Sequence, residues 1–277
     1  LTTVFQMSEE MFFLHYGKDG CNRHVLIDEC RELFGEIYEQ IPELPFCNIW
    51  TAMQLSSRLP KGALFHMGVS NTRRCWNMFQ LPESVESACN VGCCGIDGCV
   101  STLVGASLVN PDRLCYVVVG DLTFFYDLNS LGNHHIGTNL RVMLVNNGRG
   151  TEFRLGIHHC NVFGDDADKY MAAAGHFGNK SPLLVKHYAE DLGFHYLSAT
   201  TKEEFMTALS NFTNPQLSDH SMILEVFTDS KDESEALYLM SHIQSDAKGM
   251  VRSKLKDAVR NVAGEKGINA IKKILKK

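Results

Sequence analysis

Apolar residues are concentrated in two nearly continuous runs in the middle of the chain, at residues 114–119 and 140–145. Each run is rich in β-prone residues and ends at glycine or asparagine, which is typical of a parallel strand covered on both faces. Three shorter runs predict further strands, at residues 63–67, 194–199 and 221–228. The pattern therefore predicts a sheet that includes the two long runs.

Segments of helical length precede these strands and separate them. They lie at residues 24–40, 48–58, 100–109, 124–135, 165–174, 182–191 and 202–211. Asn48 is predicted to cap the second of them, and Pro42 and Pro45 break the chain before it. Because strands and helices alternate, we expect an α/β protein with a doubly wound parallel sheet and helices on both faces.

Polar residues follow both long strands, as 120–123 (Gly-Asp-Leu-Thr) and 146–150 (Asn-Asn-Gly-Arg-Gly). In a doubly wound sheet, ligands bind beyond the carboxyl ends of the strands. The carboxylate of Asp121, the amide oxygen of Asn147 and a backbone carbonyl of the second loop suit Mg²⁺. A helix start near Thr123 suits a phosphate. Each segment alone is typical of a turn, but the two together, joined by one helix, favour a site for Mg²⁺ and a diphosphate.

The same two segments resemble the cofactor motif of the thiamine-diphosphate-dependent enzymes, in which Gly-Asp is followed further along the chain by Asn-Asn. Other stretches are similar to the MenD-type synthases of menaquinone biosynthesis, namely 95–98 (Gly-Ile-Asp-Gly), Ser101-Thr102 and 120–129. The resemblance covers residues 44–243. It implies the thiamine diphosphate-binding fold, with thiamine diphosphate and Mg²⁺ as cofactors.

The resemblance also assigns cofactor roles to particular residues. It implies that Asp121, the Asn147 side chain and the backbone carbonyl of Arg149 bind the metal, although the family usually has glycine at the position of Arg149. Ile96 resembles the bulky apolar residue that holds the cofactor in a bent form. The remaining cofactor-binding residues that the resemblance implies are Gly95, Gly120, Leu122 and Thr123.

Substrate contacts are implied in the segment 68–74 (Gly-Val-Ser-Asn-Thr-Arg-Arg). Ser70 and Arg74 resemble a serine and an arginine that contact substrate carboxylates in the MenD-type synthases, and arginine suits a carboxylate through paired hydrogen bonds. The alternative is that Arg73 and Arg74 are solvated at a helix start. Residues 90–92 (Asn-Val-Gly) stand where the family has Asn-Arg-Gly. A substrate arginine is thus missing, and the acceptor is expected to differ from that of the menaquinone pathway.

The function implied by the resemblance is that of a transferase or lyase, a 2-oxo acid decarboxylase or carboligase. Within this class, an acetolactate-synthase-like enzyme or a simple decarboxylase is the alternative, and a non-catalytic cofactor-binding or assembly subunit is the alternative from another class. In the family, the glutamate that starts the reaction comes from a separate pyrimidine-binding module, usually on a partner subunit. Residues 1–46 are too short to supply that module.

The missing module leads to an expectation about the whole protein. We expect the C-terminal part of a longer enzyme, or one subunit of a split one, which begins here at Leu1 rather than at methionine. The essential glutamate is then expected in the other module, in cis or on a partner subunit, and no residue of this chain is assigned to catalysis. The resemblance implies a homodimer or homotetramer that is inactive without that module.

Composition and charge divide the chain further. With 277 residues, 44% hydrophobic and 21% charged, it has the composition of a soluble globular protein. It has neither an apolar run as long as a membrane span nor a signal-peptide pattern.

The charge is unevenly distributed along the chain. Residues 244–277 contain ten Lys/Arg against three Asp/Glu, a net charge of +7, which leaves −13 for the rest. The acidic body disfavours nucleic-acid binding. We predict a lead-in at 1–46, the cofactor domain at 47–243 and a basic helical tail at 244–277.

The tail and the cysteines each allow two interpretations. The amphipathic basic pattern of the tail fits a helix docked on the protein or on a partner, and it also fits an anionic membrane surface. Ten cysteines without a disulfide framework favour a reducing cytoplasm. Four of them suggest a zinc site, but they lack the paired Cys-X-X-Cys spacing of such sites: Cys89, Cys93, Cys94 and Cys99.

Two histidine pairs are further candidates for acid–base chemistry. His134 and His135 are expected at the end of a helix, where a histidine interacts favourably with the helix dipole. His158 and His159 follow the loop that contains Asn147, and a contact of either with substrate is a weaker hypothesis.

Overall fold

The computed structural model describes residues 4–17, 25–92, 94–156, 158–167 and 181–243. By their internal contacts the residues form two compact units, Leu1–Ile41 and Pro42–Lys277. The division lies a few residues before position 47, where the cofactor domain is predicted to begin, and the predicted domain bounds stay predictions. The predicted basic tail at 244–277 lies outside the described residues.

The first unit contains two described helices, α1 (Glu9–Tyr16) and α2 (Val25–Glu39). Helix α2 agrees with the helix predicted at 24–40. The sequence pattern did not predict α1, which begins after Ser8, whose hydroxyl accepts a hydrogen bond of 3.3 Å from the Met11 N–H. This bond satisfies one of the backbone donors that the first turn of a helix leaves open.

The sheet of the second unit contains six strands in the described residues. They are β1 (Leu64–Met67), β2 (Glu86–Cys89), β3 (Cys115–Gly120), β4 (Leu140–Asn146), β5 (His195–Ala199) and β6 (Met222–Phe227). Their order is β2-β1-β3-β4-β6-β5, and all neighbours are parallel. The chain crosses the sheet in one direction from β1 to β2 and in the other from β3 to β4, so right-handed connections place helices on both faces. The predicted doubly wound parallel α/β fold is confirmed.

Seven helices of the described residues accompany this sheet. They are α3 (Asn48–Leu55), α4 (Asn71–Trp76), α5 (Cys99–Val109), α6 (Asp121–Tyr126), α7 (Leu184–Asp191), α8 (Lys202–Phe212) and α9 (Ser230–Ser241). The two long apolar runs form the central strands β3 and β4, which are buried almost throughout. Val100 and Leu103 of α5 share one core with Val117 and Val142 of these strands.

Each of the five predicted strands is found within one residue at either end. Strand β2 is missing from the prediction, because Glu86, Ser87 and Ala88 are exposed at the edge of the sheet and form no apolar run. Helices α4 and α9 are missing as well. The helix predicted at 48–58 ends as α3 at Leu55 and continues as the 3₁₀ turn Ser56–Arg58.

The helix predicted at 124–135 is wrong. The chain instead forms α6 and then a separate 3₁₀ segment, Leu128–Gly132. Asp127 interrupts the helix with φ −113° and ψ 14°. Its carboxylate accepts a hydrogen bond of 2.6 Å from the Ser101 N–H in the first turn of α5. The hydrogen bond thus ties the residue after α6 to the first turn of α5. A hydropathy pattern does not reveal such a contact.

The predicted cap of α3 is also wrong. Cys47, not Asn48, precedes the helix, and its sulfur accepts a hydrogen bond of 3.4 Å from the Trp50 N–H. Asn48 is the first helical residue, and its side-chain oxygen accepts a hydrogen bond of 3.1 Å from Nε1 of Trp76. The Asn48 N–H donates to Oε1 of Glu233 over 3.0 Å. Asn48 therefore connects α3 to α4 and α9 instead of capping its own helix.

Two further predictions concern a helix and a helix end. Of the helix predicted at 165–174, Asp165 and Asp166 belong to the 3₁₀ segment His159–Asp166, which is kinked at Gly164, and Ala167 is helical. Residues 168–174 lie outside the described residues, so the rest of this helix stays a prediction. His134 and His135 come after the 3₁₀ segment Leu128–Gly132 and lie outside any helix, so the expectation that they end a helix is wrong. Within the described ranges, every helix is too short or too polar to cross a bilayer.

Candidate cofactor-binding site

The strand order places a crevice at the carboxyl ends of β1 and β3. From these two neighbouring strands the chain continues in opposite directions across the sheet, and doubly wound proteins bind ligands at such a switch point. Gly68, directly after β1, donates its N–H to the carbonyl oxygen of Val118 over 2.7 Å. A Cβ atom at Gly68 would lie 3.3 Å from that oxygen, so the close approach of the two backbones requires a small residue.

A cavity of about 240 Å³ opens at this switch point. Of the residues predicted for the site, those that line it are Ser70, Ile96, Gly120, Asp121, Leu122, Thr123, Asn147 and Arg149. Gly95 and Arg74 do not belong to the lining. Gly95 lies close to Asp97, and a Cβ atom at Gly95 would be 2.5 Å from Oδ1 of Asp97. The structure thus brings most of the predicted residues together around one space.

Asp121 and Asn147 supply oxygen atoms to this cavity from two neighbouring strand ends. Asp121 begins α6, is 2% exposed, and accepts a hydrogen bond of 2.7 Å from the Leu122 N–H through Oδ1. Oδ1 of Asn147 is buried and has no hydrogen-bond partner among the described residues. An amide oxygen left open beside a carboxylate is suited to a hard cation such as Mg²⁺. The residues present therefore fit the metal that the sequence predicts.

A cluster of acidic or soft metal ligands is absent from the part of the chain that the structure describes. No group of three or more His, Cys, Asp or Glu side chains that could hold a metal occurs in the described residues. Cys94 lines the cavity, and Cys93 lies outside the described residues. Two carboxylates, Asp121 and Glu152, line the cavity together with the amide of Asn147.

A buried hydrogen-bond network holds the loop after β4. Nδ2 of Asn146 donates to Oε1 of Glu225 over 2.7 Å, and the Tyr196 hydroxyl donates to Oε2 of the same carboxyl group over 2.7 Å. Oδ1 of Asn146 accepts from the Gly148 N–H over 3.3 Å. Burial raises the pKa of Glu225, whereas its two donors act in the opposite direction. The network fixes the residues on both sides of Asn147.

Ser70 lies at the end of the crevice, between β1 and α4. Its backbone has φ 58° and ψ −120°, a left-handed conformation that is strained for a residue other than glycine. The residue is exposed and lines the cavity. Strained residues of this kind cluster at functional sites, because the surrounding fold must hold them in place. Cys94, with φ 51°, is a second example in the same lining.

Arg74 is engaged by a carboxylate of the chain itself. Its Nη1 and Nη2 atoms lie 2.7 Å and 2.9 Å from Oε2 and Oε1 of Glu152. Glu152 lines the cavity, although Arg74 does not. The hydrogen bonds with Glu152 raise the pKa of Arg74 above its usual value, against the effect of burial. The alternative of a fully solvated Arg74 therefore does not describe this pair.

Comparisons with known proteins give relatives in sequence. No model of a known protein family matches the chain. A 2-succinyl-5-enolpyruvyl-6-hydroxy-3-cyclohexene-1-carboxylate synthase of Bacteroides fragilis is 34% identical over 196 residues, which are 71% of this chain and 34% of the relative. The synthase of the same name from Phocaeicola vulgatus is 34% identical over 245 residues, 86% of this chain and 41% of the relative. The one from Christiangramia forsetii is 33% identical over 199 residues, 72% of this chain and 33% of the relative.

The chain belongs to the MenD-like family of thiamine-diphosphate-dependent enzymes. The resemblance that the motifs indicate is therefore confirmed at the level of the family. The chain spans 33% to 41% of the length of these MenD-like relatives.

Sequence reasoning missed three residues of this MenD-like site. Glu225 stands inside the apolar run of β6, and an acidic residue in such a run is a signal that could have been used. Tyr196 and Glu152 carry no comparable signal, because their partners are distant in sequence. His158 and His159 are not among the residues that line the cavity, and Nδ1 of His158 accepts from the Cys160 N–H over 3.1 Å.

Proposed function

We propose that this chain is the diphosphate-binding module of a thiamine-diphosphate- and Mg²⁺-dependent enzyme that decarboxylates a 2-oxo acid or joins the product to an acceptor. The observation that carries the proposal is the convergence of Asp121 and the open amide oxygen of Asn147 on one cavity at the switch point of the sheet. Membership of the MenD-like family supports it. When bound, thiamine diphosphate supplies the electron sink that decarboxylation requires.

In this proposal the chain binds the metal ion and the cofactor and fixes their orientation. The Asp121 carboxylate, the Asn147 side-chain oxygen and the backbone carbonyl of Arg149 hold the Mg²⁺ ion, since this ion prefers oxygen ligands. Ile96 forms the apolar support of the cofactor. Gly120, at the end of β3, keeps the wall of the cavity free of a side chain.

Substrate and partner contacts complete the proposal. The hydroxyl of Ser70 contacts the carboxylate of the 2-oxo acid. The glutamate that starts the reaction is supplied by a pyrimidine-binding module, in cis or from a partner subunit of a homodimer or homotetramer. The predicted location in the cytoplasm belongs to the same proposal.

The test is calorimetric titration of the chain with Mg²⁺ and thiamine diphosphate. Asp121→Ala should abolish binding or weaken it by far more than the ~10–100-fold that the loss of a hydrogen-bond partner of a metal ligand costs. Asp112→Ala removes an exposed carboxylate in a turn away from the cavity and is the matched control. Equal cofactor affinity of the wild type and Asp121→Ala, with the sheet still folded by circular dichroism, would reject the metal site.

A further inference from the structure

The hydroxyl of Thr151 is a buried polar group of the candidate site. Thr151 lines the cavity and is 4% exposed, and its Oγ1 atom has no hydrogen-bond partner among the described residues. We propose that Thr151 is a binding residue, whose hydroxyl donates a hydrogen bond to the diphosphate group held by the metal ion. The inference rests on the proposed function, because it concerns the ligand of the same cavity.

Other threonine hydroxyls of the protein are bonded to the backbone. The fully buried Thr51 donates to the carbonyl oxygen of Asn48 over 2.8 Å, and Thr213 donates to that of Leu209 over 2.8 Å. A buried hydroxyl without such a bond destabilises a folded protein, whereas an apolar group of the same shape does not. Folding alone therefore does not account for a hydroxyl at position 151.

The cavity contains two open oxygen atoms of different chemistry on one loop. Oδ1 of Asn147 and Oγ1 of Thr151 are both buried without a partner among the described residues, and the two residues are four positions apart. The amide oxygen can only accept a bond, so it suits a cation. The hydroxyl can also donate, so it suits the anion that the cation holds. Together they fit a metal–phosphate complex.

The charges in the lining favour a neutral donor at this position. Asp121 and Glu152 bring two carboxylates to the cavity, and each of them repels a phosphate group. The Thr151 hydroxyl offers a hydrogen bond to phosphate without adding a charge that would repel the metal ion. Hydrogen bonds to a charged group are stronger than those between neutral groups, and the surrounding protein strengthens them further.

The backbone on both sides of Thr151 is held by side-chain contacts. Thr151 begins a 3₁₀ segment, and the next residue, Glu152, accepts bonds of 2.7 Å and 2.9 Å from Arg74 of α4. On the other side, the Gly148 N–H donates to Oδ1 of Asn146 over 3.3 Å. A ligand therefore meets a hydroxyl on an ordered loop, which lowers the entropic cost of binding.

The experiment is calorimetric titration of the full chain with Mg²⁺ and either thiamine diphosphate or inorganic diphosphate. Thr151→Val keeps the shape of the side chain and should weaken both affinities by about 10–100-fold, the factor for a hydrogen bond to a charged group. Thr151→Ser keeps the hydroxyl and should bind both probes more tightly than Thr151→Val. Thr207→Val is the matched control and should change neither affinity, because it removes an exposed hydroxyl of α8 that is bonded to the Glu203 carbonyl oxygen over 2.9 Å.

Two further measurements separate binding from other roles of the hydroxyl. In urea, unliganded Thr151→Val should unfold at the same or a higher midpoint than the wild type, because no bond within the protein is lost. The affinity for Mn²⁺ alone, measured by EPR, should not differ between the two proteins. Unchanged diphosphate affinity, a lowered midpoint, or an equal loss of Mn²⁺ affinity would overturn the proposal. Thr151→Ala provides the binding test if Thr151→Val does not fold.

Failure of the proposed function would give a different result. A wild type that binds inorganic diphosphate with Mg²⁺ but not thiamine diphosphate would reject the cofactor assignment and leave the role of Thr151 in place. Equal thiamine diphosphate affinity of the wild type and Thr151→Val would reject the role of Thr151 alone. Binding of neither probe to the wild type would reject both.

Discussion

Asn146 at the end of β4 is joined to Glu225 of β6 by a hydrogen bond of 2.7 Å, while its other side-chain atom accepts from the Gly148 N–H. One amide group thus connects a buried carboxyl group to the backbone of the loop that carries Asn147. The position of the candidate metal ligand depends on a residue of another strand, 79 positions away in sequence.

Removal of the Glu225 carboxyl group should destabilise the protein. Glu225→Leu leaves the buried Asn146 amide and the half-buried Tyr196 hydroxyl without their acceptor. The expected cost is ~2–6 kcal/mol, because each such group costs ~1–3 kcal/mol. Glu225→Gln keeps an acceptor for Asn146 and should cost less than about 1 kcal/mol. Urea unfolding measures both free energies. Equal losses in the two variants would contradict the role of the network.

A side chain at Gly68 should require the backbone of β3 to shift by a few tenths of an ångström. Gly68→Ala places a Cβ atom 3.3 Å from the Val118 oxygen and 3.4 Å from the Val119 Cα atom, both in the backbone of β3. We expect a loss of ~1–3 kcal/mol, as for other overpacked sites. Gly105→Ala is the matched control, because it adds a methyl group to α5 with nothing within 4 Å and should stabilise the helix by ~0.5–1 kcal/mol. Thermal or urea unfolding gives the sign, and a stabilising Gly68→Ala would refute the close approach.

The stability of the fold should fall as the pH rises through the titration of Glu233. Burial raises the pKa of this 1%-exposed carboxyl group to about 7, although bonds from the Asn48 N–H (3.0 Å) and the Thr228 hydroxyl (2.8 Å) oppose the shift. The nearby charges of Asp232 and Asp121 raise the pKa further. The folded state therefore keeps a proton that the unfolded state has released. The stability present below the ordinary glutamate pKa of 4.5 is lost by about pH 7.

The size of this effect follows from the linkage relation. At ~1.4 kcal/mol for each unit of pKa shift, the stability difference between the wild type and Glu233→Gln should decrease by at most ~3 kcal/mol between about pH 4.5 and about pH 7. Urea unfolding of both proteins across this range measures it. A difference that does not change with pH, or that increases with it, would show that Glu233 is ionised in the folded state throughout.

The isolated chain should not activate its cofactor. If the initiating glutamate belongs to another module, thiamine diphosphate bound to this chain with Mg²⁺ should exchange its C2 proton no faster than the free cofactor does, and 2-oxo acids should not be decarboxylated. Proton exchange is measured by NMR in deuterated buffer. Fast exchange on the chain alone would mean that no further module is needed for this step.

Burial on both faces explains why most of the sheet could be predicted from the sequence. Strands β3 and β4 lie between two layers of helices and are therefore apolar along almost their whole length, which leaves a continuous hydrophobic signal. Strand β2 lies at the edge, exposes its first three residues and has no such signal. The helix predicted at 124–135 failed because Asp127 leaves the helical conformation to bind Ser101, a contact between residues that are far apart in sequence.

The same contrast holds for the candidate site. Asp121 and Asn147 could be proposed because each follows a recognisable strand, and parallel strands bring their carboxyl ends to one edge. Glu152, which pairs with Arg74, and the partners Tyr196 and Glu225 are set by tertiary packing. These side chains meet only in the folded protein, and no periodic pattern in the sequence predicts their contacts.

The hydrogen bond between Trp76 and Asn48 has a practical consequence. The chain has only two tryptophans, and Asn48, which binds the indole of Trp76, also lines the cavity. Trp50 lies in the neighbouring helix, with the Lys202 ammonium 5.6 Å from the centre of its ring. Trp76 is thus joined by a hydrogen bond to a residue that lines the cavity. The emission of Trp76 follows displacement of Asn48 without an added dye, and Trp50→Phe isolates that signal.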